Sequence, residues 1–232
     1  MERYSIINSK NPREILLLRG SGCKWRKCAF CDYHLDFAID EESNFELNRI
    51  ELARVTGIYH KLEVINSGSF VDLDVQTMDM IVDVCIAKQI KEIHFESHWM
   101  HREDIDNLRQ KFAKHGIIVK VKIGVETFDY DFRENILRKG LDEREPKRIA
   151  EYFNEVCLLM GLSGQTEESM RYDIETGLEY FERVCVNIMV GNKTQIKPDS
   201  DVIKVFRDRI YGDYIHNNRV DILMENTDFG VG

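Results

Sequence analysis

Apolar residues recur along this chain in short unbroken runs separated by longer stretches of mixed polarity, and that alternation sets the first expectations. The first run, residues 14–18, ends in Arg19-Gly20-Ser21-Gly22, the way a buried strand opens into a loop. Mixed charged and apolar positions over 43–60 predict a helix, and 62–65 predict a second strand closed by the break Asn66-Ser67-Gly68-Ser69. The pattern repeats with a helix at about 75–88, a strand at 92–96, a helix at about 102–115 and a strand at 117–125. Further on come a helix near 145–153, a strand at 155–160, a helix near 167–181, a strand at 184–190, a helix at about 200–211 and a strand at 219–224. Strands alternating with helices predict right-handed crossovers and a parallel sheet, with reactive groups on the loops after the strands' C-terminal ends.

Six βα units and a terminal strand predict an α/β fold, a partial (βα)6 TIM-like barrel with parallel strands. A complete eight-unit barrel typically takes about 250 residues, more than the 232 present. A doubly wound sheet fits the same alternation, which does not fix strand order. The chain reads as one domain, 1–232, whose tail 225–232 is either a frayed terminus or a cover over the active site.

Composition narrows the function. With 43% hydrophobic residues, 31% charged residues and three prolines, the chain reads as globular and without long linkers. A net charge of -9 disfavours a broad phosphate-binding surface, so direct nucleic-acid binding is not expected and a small-molecule substrate is. Residues 1–9 are polar, and no apolar run approaches the roughly 20 residues that span a bilayer, so the expected setting is the cytoplasm, away from membranes. Of six cysteines, three fall within nine residues, which favours metal ligation over a disulfide scaffold.

Those three are Cys23, Cys28 and Cys31, spaced Cys-x4-Cys-x2-Cys directly after a predicted strand. Three thiolates on a cubane iron–sulfur cluster leave one iron open to a chelating ligand. Zinc held by the same cysteines and His34 is the alternative, in a non-catalytic binding module. The loop resembles the radical S-adenosylmethionine (SAM) superfamily, whose usual spacing is one residue shorter between the first two cysteines. The resemblance implies metal ligands Cys23, Cys28 and Cys31, a 4Fe-4S cluster, bound SAM, an electron donor such as flavodoxin or ferredoxin, and a reaction begun by a 5′-deoxyadenosyl radical. It places Phe30 near the cofactor's adenine, and Asn66, Gly68 and Ser69 where the superfamily meets the methionine amino group.

The same resemblance extends to three later strand ends. Gly124-Val125-Glu126-Thr127 places Glu126 on the cofactor ribose, and Arg138-Lys139-Gly140 offers Arg138 to the methionine carboxylate. Gly161-Leu162-Ser163-Gly164-Gln165-Thr166 brings Gly164 to the adenosyl group and leaves Thr166 to cap the next helix. Asn187, on the strand that follows, is a further cofactor candidate.

The segment Cys28-Ala29-Phe30-Cys31-Asp32-Tyr33-His34-Leu35-Asp36-Phe37 resembles a subgroup of that superfamily acting on a deazaguanine base in queuosine salvage. A deazaguanine edge and a protonated amine both favour acids as partners. Candidate substrate contacts are Asp36, Glu96, Trp99 and Asp228, with Glu96 and His98 as candidate catalytic groups at the mouth of the barrel. Each has a bland alternative: a solvated Asp36, a Glu96 paired with a neighbouring histidine, a core Trp99, an Asp228 in a loose tail. A different radical reaction on a small molecule or a tRNA base would use every one of the same cofactor residues. Cys85, Cys157 and Cys185 fall in apolar stretches and read as core.

Overall fold

The structure, a computed structural model, describes residues 2–224. The tail 225–232, and with it Asp228, lies outside the described residues. Eight strands lie in sequence order, each beside the next: β1 (Tyr4–Ile7), β2 (Arg13–Leu18), β3 (Lys61–Asn66), β4 (Glu92–Glu96), β5 (Ile118–Glu126), β6 (Glu155–Met160), β7 (Arg183–Ile188) and β8 (Val220–Leu223). The helices between them are α1 (Glu41–Leu52), α2 (Val75–Ala87), α3 (Ile105–Ala113), α4 (Pro146–Ala150), α5 (Glu167–Tyr180), α6 (Ser200–Val205) and α7 (Tyr211–Tyr214). From β2 to β8 this is the expected series of six βα units and a terminal strand. Among the described residues no helix is long and apolar enough to cross a membrane.

Two expectations are corrected. The N-terminal residues form β1, which pairs antiparallel with β2, so the sheet is not wholly parallel. Only one of its four residues is well exposed, and the Tyr4 hydroxyl donates to Glu14 Oε1 at 2.7 Å. Burial first, and the adjacent Glu14 carboxylate next, push the Tyr4 hydroxyl up to about 12. The helix expected over 43–60 ends at Leu52, because Thr56 and Gly57 donate their backbone N–H groups to the buried Glu14 carboxylate, each at 2.7 Å. Gly57 has φ +80° there, and a Cβ would stand 2.4 Å from the Lys88 carbonyl, so the turn needs glycine.

Contacts group the residues into two compact units, one running up to Arg26 and over Tyr33–Lys122, the other made of Lys27–Asp32 and the residues from Ile123 on; the boundary falls within β5. In the first unit the pairing register gives the sheet two unlike faces. Leu16, Val64, Phe95 and Val121 sit side by side on one face, all buried. Ile81, Cys85, Leu108 and Phe112 are among the buried residues of α2 and α3, and the Phe95 and Phe112 rings lie 5.6 Å apart. The opposite face carries Glu63, His94 and Lys120 in one row, with Lys122 one step further along β5. Glu63 is buried between Lys122 and Arg13, which both donate to its carboxylate.

In the second unit every residue of β6 is buried, and Leu158, Val186 and Ile222 form one row across β6, β7 and β8. α5 lies close on this sheet: a Cβ on Gly177 would meet Val184 Cγ2 at 2.8 Å. Thr166 starts α5 by accepting the Ser169 N–H at 3.1 Å, while Ser169 Oγ accepts the Thr166 N–H at 2.9 Å, a reciprocal cap.

Candidate functional site

The candidate residues sit where parallel strands end, on the loops after β2, β3, β4 and β5 and on the loops after β6 and β7, so each is described within its own unit.

In the first unit the cysteine loop is tied to the loop after β3. The Cys23 N–H donates to the Ser67 carbonyl at 3.1 Å, and the Ser21 N–H to the Asp72 carbonyl at 2.9 Å. Gly68 lies against this junction: a Cβ there would stand 3.0 Å from the Cys23 nitrogen and 2.4 Å from Asp72 Oδ2. Asn66 holds the turn by donating to the Ser69 carbonyl at 3.1 Å, and the Ser69 N–H donates to Asp72 Oδ2 at 2.8 Å. Burial pushes the Asp72 carboxyl up from its ordinary value, and that one backbone donor only partly offsets it. The other oxygen, Oδ1, is buried without a hydrogen-bond partner. Asp36 joins the same cluster, since its carbonyl accepts the Ser67 hydroxyl. Both of its carboxylate oxygens accept from Arg3 Nη2, at 2.8 and 3.0 Å.

Glu96 ends β4 on the charged face, 3.9 Å from Lys122, and it lies at the open end of the Arg13–Glu63–Lys122 chain of charges. His98 is fixed from three sides. Its N–H donates to Ser69 Oγ at 2.9 Å, its Nδ1 accepts the Met100 N–H at 3.2 Å, and its ring stacks on Trp25 with centroids 5.6 Å apart and planes at 21°. Trp99 is 6% exposed with the Arg102 guanidinium 4.5 Å over its ring, a packed position.

In the second unit Cys28 and Cys31 are half-buried against an apolar cluster of Phe30, Leu137, Leu159, Leu162 and Met189. The Ala29 N–H donates to the Leu137 carbonyl at 2.9 Å. Asn192 donates to the Phe30 carbonyl at 2.5 Å, and the Lys193 N–H to Asp32 Oδ2 at 3.0 Å, so the loop after β7 straps the cysteine segment. Glu126 closes β5 in the left-handed region, φ +70°, a conformation that costs a non-glycine residue energy and marks a constrained position. Its Oε1 accepts from Lys139 Nζ at 2.6 Å, and Lys139 also stands 5.7 Å over the Phe30 ring. Burial alone would lower the Lys139 ammonium, but the Glu126 carboxylate and the Cys28 and Cys31 sulfurs outweigh it and hold the ammonium above the ordinary lysine range. Gly124 leaves room for the pair, because a Cβ would meet Glu126 Oε1 at 2.4 Å and Lys139 Nζ at 2.8 Å.

Arg138, the expected cation, is exposed with φ +56°, and the cation that reaches Glu126 is its neighbour. Gly164 has φ +97° and lies 3.2 Å, by its added Cβ, from the Phe132 ring. Gln165 braces the same loop by donating to the Leu159 carbonyl at 2.8 Å and accepting the Leu162 N–H at 2.9 Å. Asn187 is buried, its Oδ1 3.8 Å from Cys185 Sγ.

Trp25, Asp72, Lys139, Gln165 and Asn192 are the residues here that sequence reading did not single out. Only Lys139 had a signal, as one of two adjacent cations. Among the described residues no three Cys, His, Asp or Glu side chains gather closely enough to hold a single metal ion.

Just beyond Glu126, Asp173 holds the chain: its Oδ1 accepts the Phe128 N–H at 2.7 Å, and its Oδ2 is buried without a partner. Burial pushes this carboxyl from 3.8 up to about 7, against the lowering effect of the Phe128 and Thr127 bonds. A raised native value means that the folded protein holds a proton that the unfolded chain has released. Stability from this group is therefore complete below about 3.8 and is lost progressively up to about pH 7. Between pH 5 and 7 the loss should be about 2–3 kcal/mol. Urea unfolding of wild type and Asp173→Asn across that range should show this slope in the first and its absence in the second. Parallel slopes would mean Asp173 is already ionised.

Neither a family model nor a curated protein sequence matches the chain. Among solved structures, queuine lyase from Clostridium spiroforme bound to SAM and queuine is 43% identical, with a TM-score of 0.94 over 100% of this chain and 99% of that one. Streptococcus suis SuiB bound to S-adenosylmethionine is 13% identical with a TM-score of 0.58, covering 93% of this chain and 51% of that one, a likeness of fold alone.

Proposed function

Because this chain belongs to the queuine lyase family of radical SAM enzymes, we propose that it cleaves queuine and releases 7-aminomethyl-7-deazaguanine for queuosine salvage. The observation that carries the reading is the 43% identity, end to end, with a lyase whose structure holds SAM and queuine.

The residues fit the implied cofactors. None of the six cysteines is in a disulfide, and three of them stand within nine residues on one loop, a set of soft donors suited to iron and sulfide. A cubane spreads three thiolates over three irons, so the donors need not converge on one ion. Cys23, Cys28 and Cys31 would hold the 4Fe-4S cluster. Asn66, Gly68 and Ser69 would meet the amino end of SAM at the turn after β3, and Glu126, fixed by Lys139, would accept from its ribose hydroxyls. Phe30, Gly164 and Asn187 would bound the adenosyl group, and Lys139, on Glu126 and over the Phe30 ring, is a second cation beside Arg138 for the methionine carboxylate. When bound, the two groups supply one-electron cleavage of a carbon–sulfur bond and with it a 5′-deoxyadenosyl radical.

The chain's own residues then have three tasks. Glu96 offers a carboxylate, backed by Lys122, to the substrate's amine or base edge. His98, clamped by Ser69 and Trp25, is the titratable group beside it, placed to hold or move a proton at a ring nitrogen. Asp36 reads the substrate less readily, because Arg3 already occupies its carboxylate. Trp99 serves as packing under Arg102.

Incubating anaerobically reduced protein with SAM and queuine should yield 5′-deoxyadenosine and 7-aminomethyl-7-deazaguanine. Consumption of SAM without conversion of the base would reject the lyase reading and leave a radical reaction on another substrate. Gly68→Ala should raise the KM for SAM about tenfold or more, since the new methyl must displace either Asp72 or the Cys23 backbone. An unchanged KM would remove Gly68 from the cofactor site.

A further inference from the structure

Charge is distributed unevenly over this chain. Residues 19–31, which contain all three clustered cysteines, carry Arg19, Lys24, Arg26 and Lys27 and no acid, whereas the other residues hold 28 cations against 41 acids. Three of the four cations fall in Lys24-Trp25-Arg26-Lys27, between the first two cysteines, and all three of those side chains are exposed.

Local geometry fixes this display. Trp25 turns onto the His98 ring, while Arg26 sits at φ +51° with its guanidinium donating to the Cys23 carbonyl at 2.6 Å and the Ser21 carbonyl at 3.1 Å. The same guanidinium lies 4.5 Å over the Phe37 ring. Of the acids that follow in sequence, Asp36 is paired with Arg3, and Asp32 turns its carboxylate to the Lys193 backbone N–H. Cations that merely balanced the thiolates would turn inward, as Lys139 does, and these face solvent.

We infer that the segment 24–27 is the docking surface for an acidic one-electron carrier protein. The inference rests on the lyase reading, in which catalysis begins when the carrier is oxidised by one electron and the cluster is reduced by one. An acidic carrier is repelled by most of this chain's surface and attracted by the one segment whose flanking cysteines hold the electron acceptor. Complementary charge of this kind acts on the encounter rate and weakens as salt shortens its reach.

The test compares two reductants on the whole enzyme, dithionite and a reduced acidic flavodoxin. Lys24→Glu/Lys27→Glu leaves Arg26 and its loop bonds in place. At low ionic strength its flavodoxin-supported kcat/KM should fall at least about tenfold. Its dithionite-supported rate, iron content and cluster reduction potential should match wild type. Added salt should slow the wild type with flavodoxin and, by screening the repulsion that charge reversal creates, speed the variant toward it. The milder Lys24→Gln/Lys27→Gln should show an intermediate loss, which keeps the comparison available if charge reversal impairs folding. Equal flavodoxin-supported rates would overturn the inference, as would an equal loss with dithionite or a shifted potential. Lost binding of single-stranded RNA with the flavodoxin rate intact would also overturn it, in favour of a nucleic-acid surface. Wild type that is inactive with dithionite would instead bring down the lyase reading itself.

Discussion

Cys28→Ala is expected to give a folded protein that is colourless after anaerobic purification and yields no 5′-deoxyadenosine from SAM. A cubane site with three protein thiolates has no spare ligand, so removal of one should drop the iron content from about four per chain toward zero. The fold should survive, because Cys28 is only half-buried at the rim of the Phe30, Leu137, Leu159, Leu162 and Met189 cluster. The segment is anchored independently by the Ala29–Leu137 and Asn192–Phe30 hydrogen bonds. Loss of one partly exposed sulfur from such a rim costs on the order of 1 kcal/mol or less. Iron analysis and the visible spectrum give the primary readout, and a thermal melt within a few degrees of wild type shows that the loss is one of ligation. A wild-type protein carrying one zinc and no iron would instead establish the binding-module alternative.

The strand-and-helix alternation was legible because the apolar runs at 14–18, 62–65, 92–96 and 155–160 are long enough to be buried strands and are bounded by glycine or polar breaks. β1 escaped notice because Tyr4-Ser5-Ile6-Ile7 is short and half-buried, and its place depends on pairing with a strand that sequence reading treats separately. The end of α1 escaped for a related reason. Nothing local at Leu52 stops a helix, and the chain turns where a buried carboxylate, Glu14, more than forty residues earlier, collects two backbone donors.

The cysteine loop and the glycine-bearing strand ends could be read from spacing and from their resemblance to a family. What could not be read was which polar groups pair. Lys139 and Arg138 are adjacent cations, and only the path of the loop after β5 decides that Lys139 meets Glu126. Trp25 occupies the longer gap between the first two cysteines, and its role in bracing His98 depends on a contact across more than seventy residues. Pairings of this kind are tertiary facts, set by register and strand order rather than by local propensity.

Glu63→Gln is expected to cost about 3–5 kcal/mol of stability, the usual penalty for breaking a buried ion pair from one side. Glu63 is 3% exposed, and two cations converge on it, Arg13 from β2 and Lys122 from β5. Burial alone would raise its carboxyl, but Lys122 first and Arg13 next outweigh the burial and hold it well below the ordinary carboxylate range. A lowered native value means that stability from the pair is present above about pH 4.5 and is lost as pH falls toward the native value. The amide removes the charge while keeping the volume, so it leaves the part-buried Lys122 ammonium and Arg13 guanidinium without their shared carboxylate, and Glu96, 3.9 Å from Lys122, is an acid within reach of it. Urea unfolding at pH 7 should show the loss directly, and wild type and variant should converge in stability only in strong acid. Recapture of Lys122 by Glu96 would also draw that carboxylate toward the interior, so KM for queuine should rise more than kcat falls. A variant as stable as wild type with an unchanged KM would show that Glu63 neither holds this charged face together nor sets the position of Glu96.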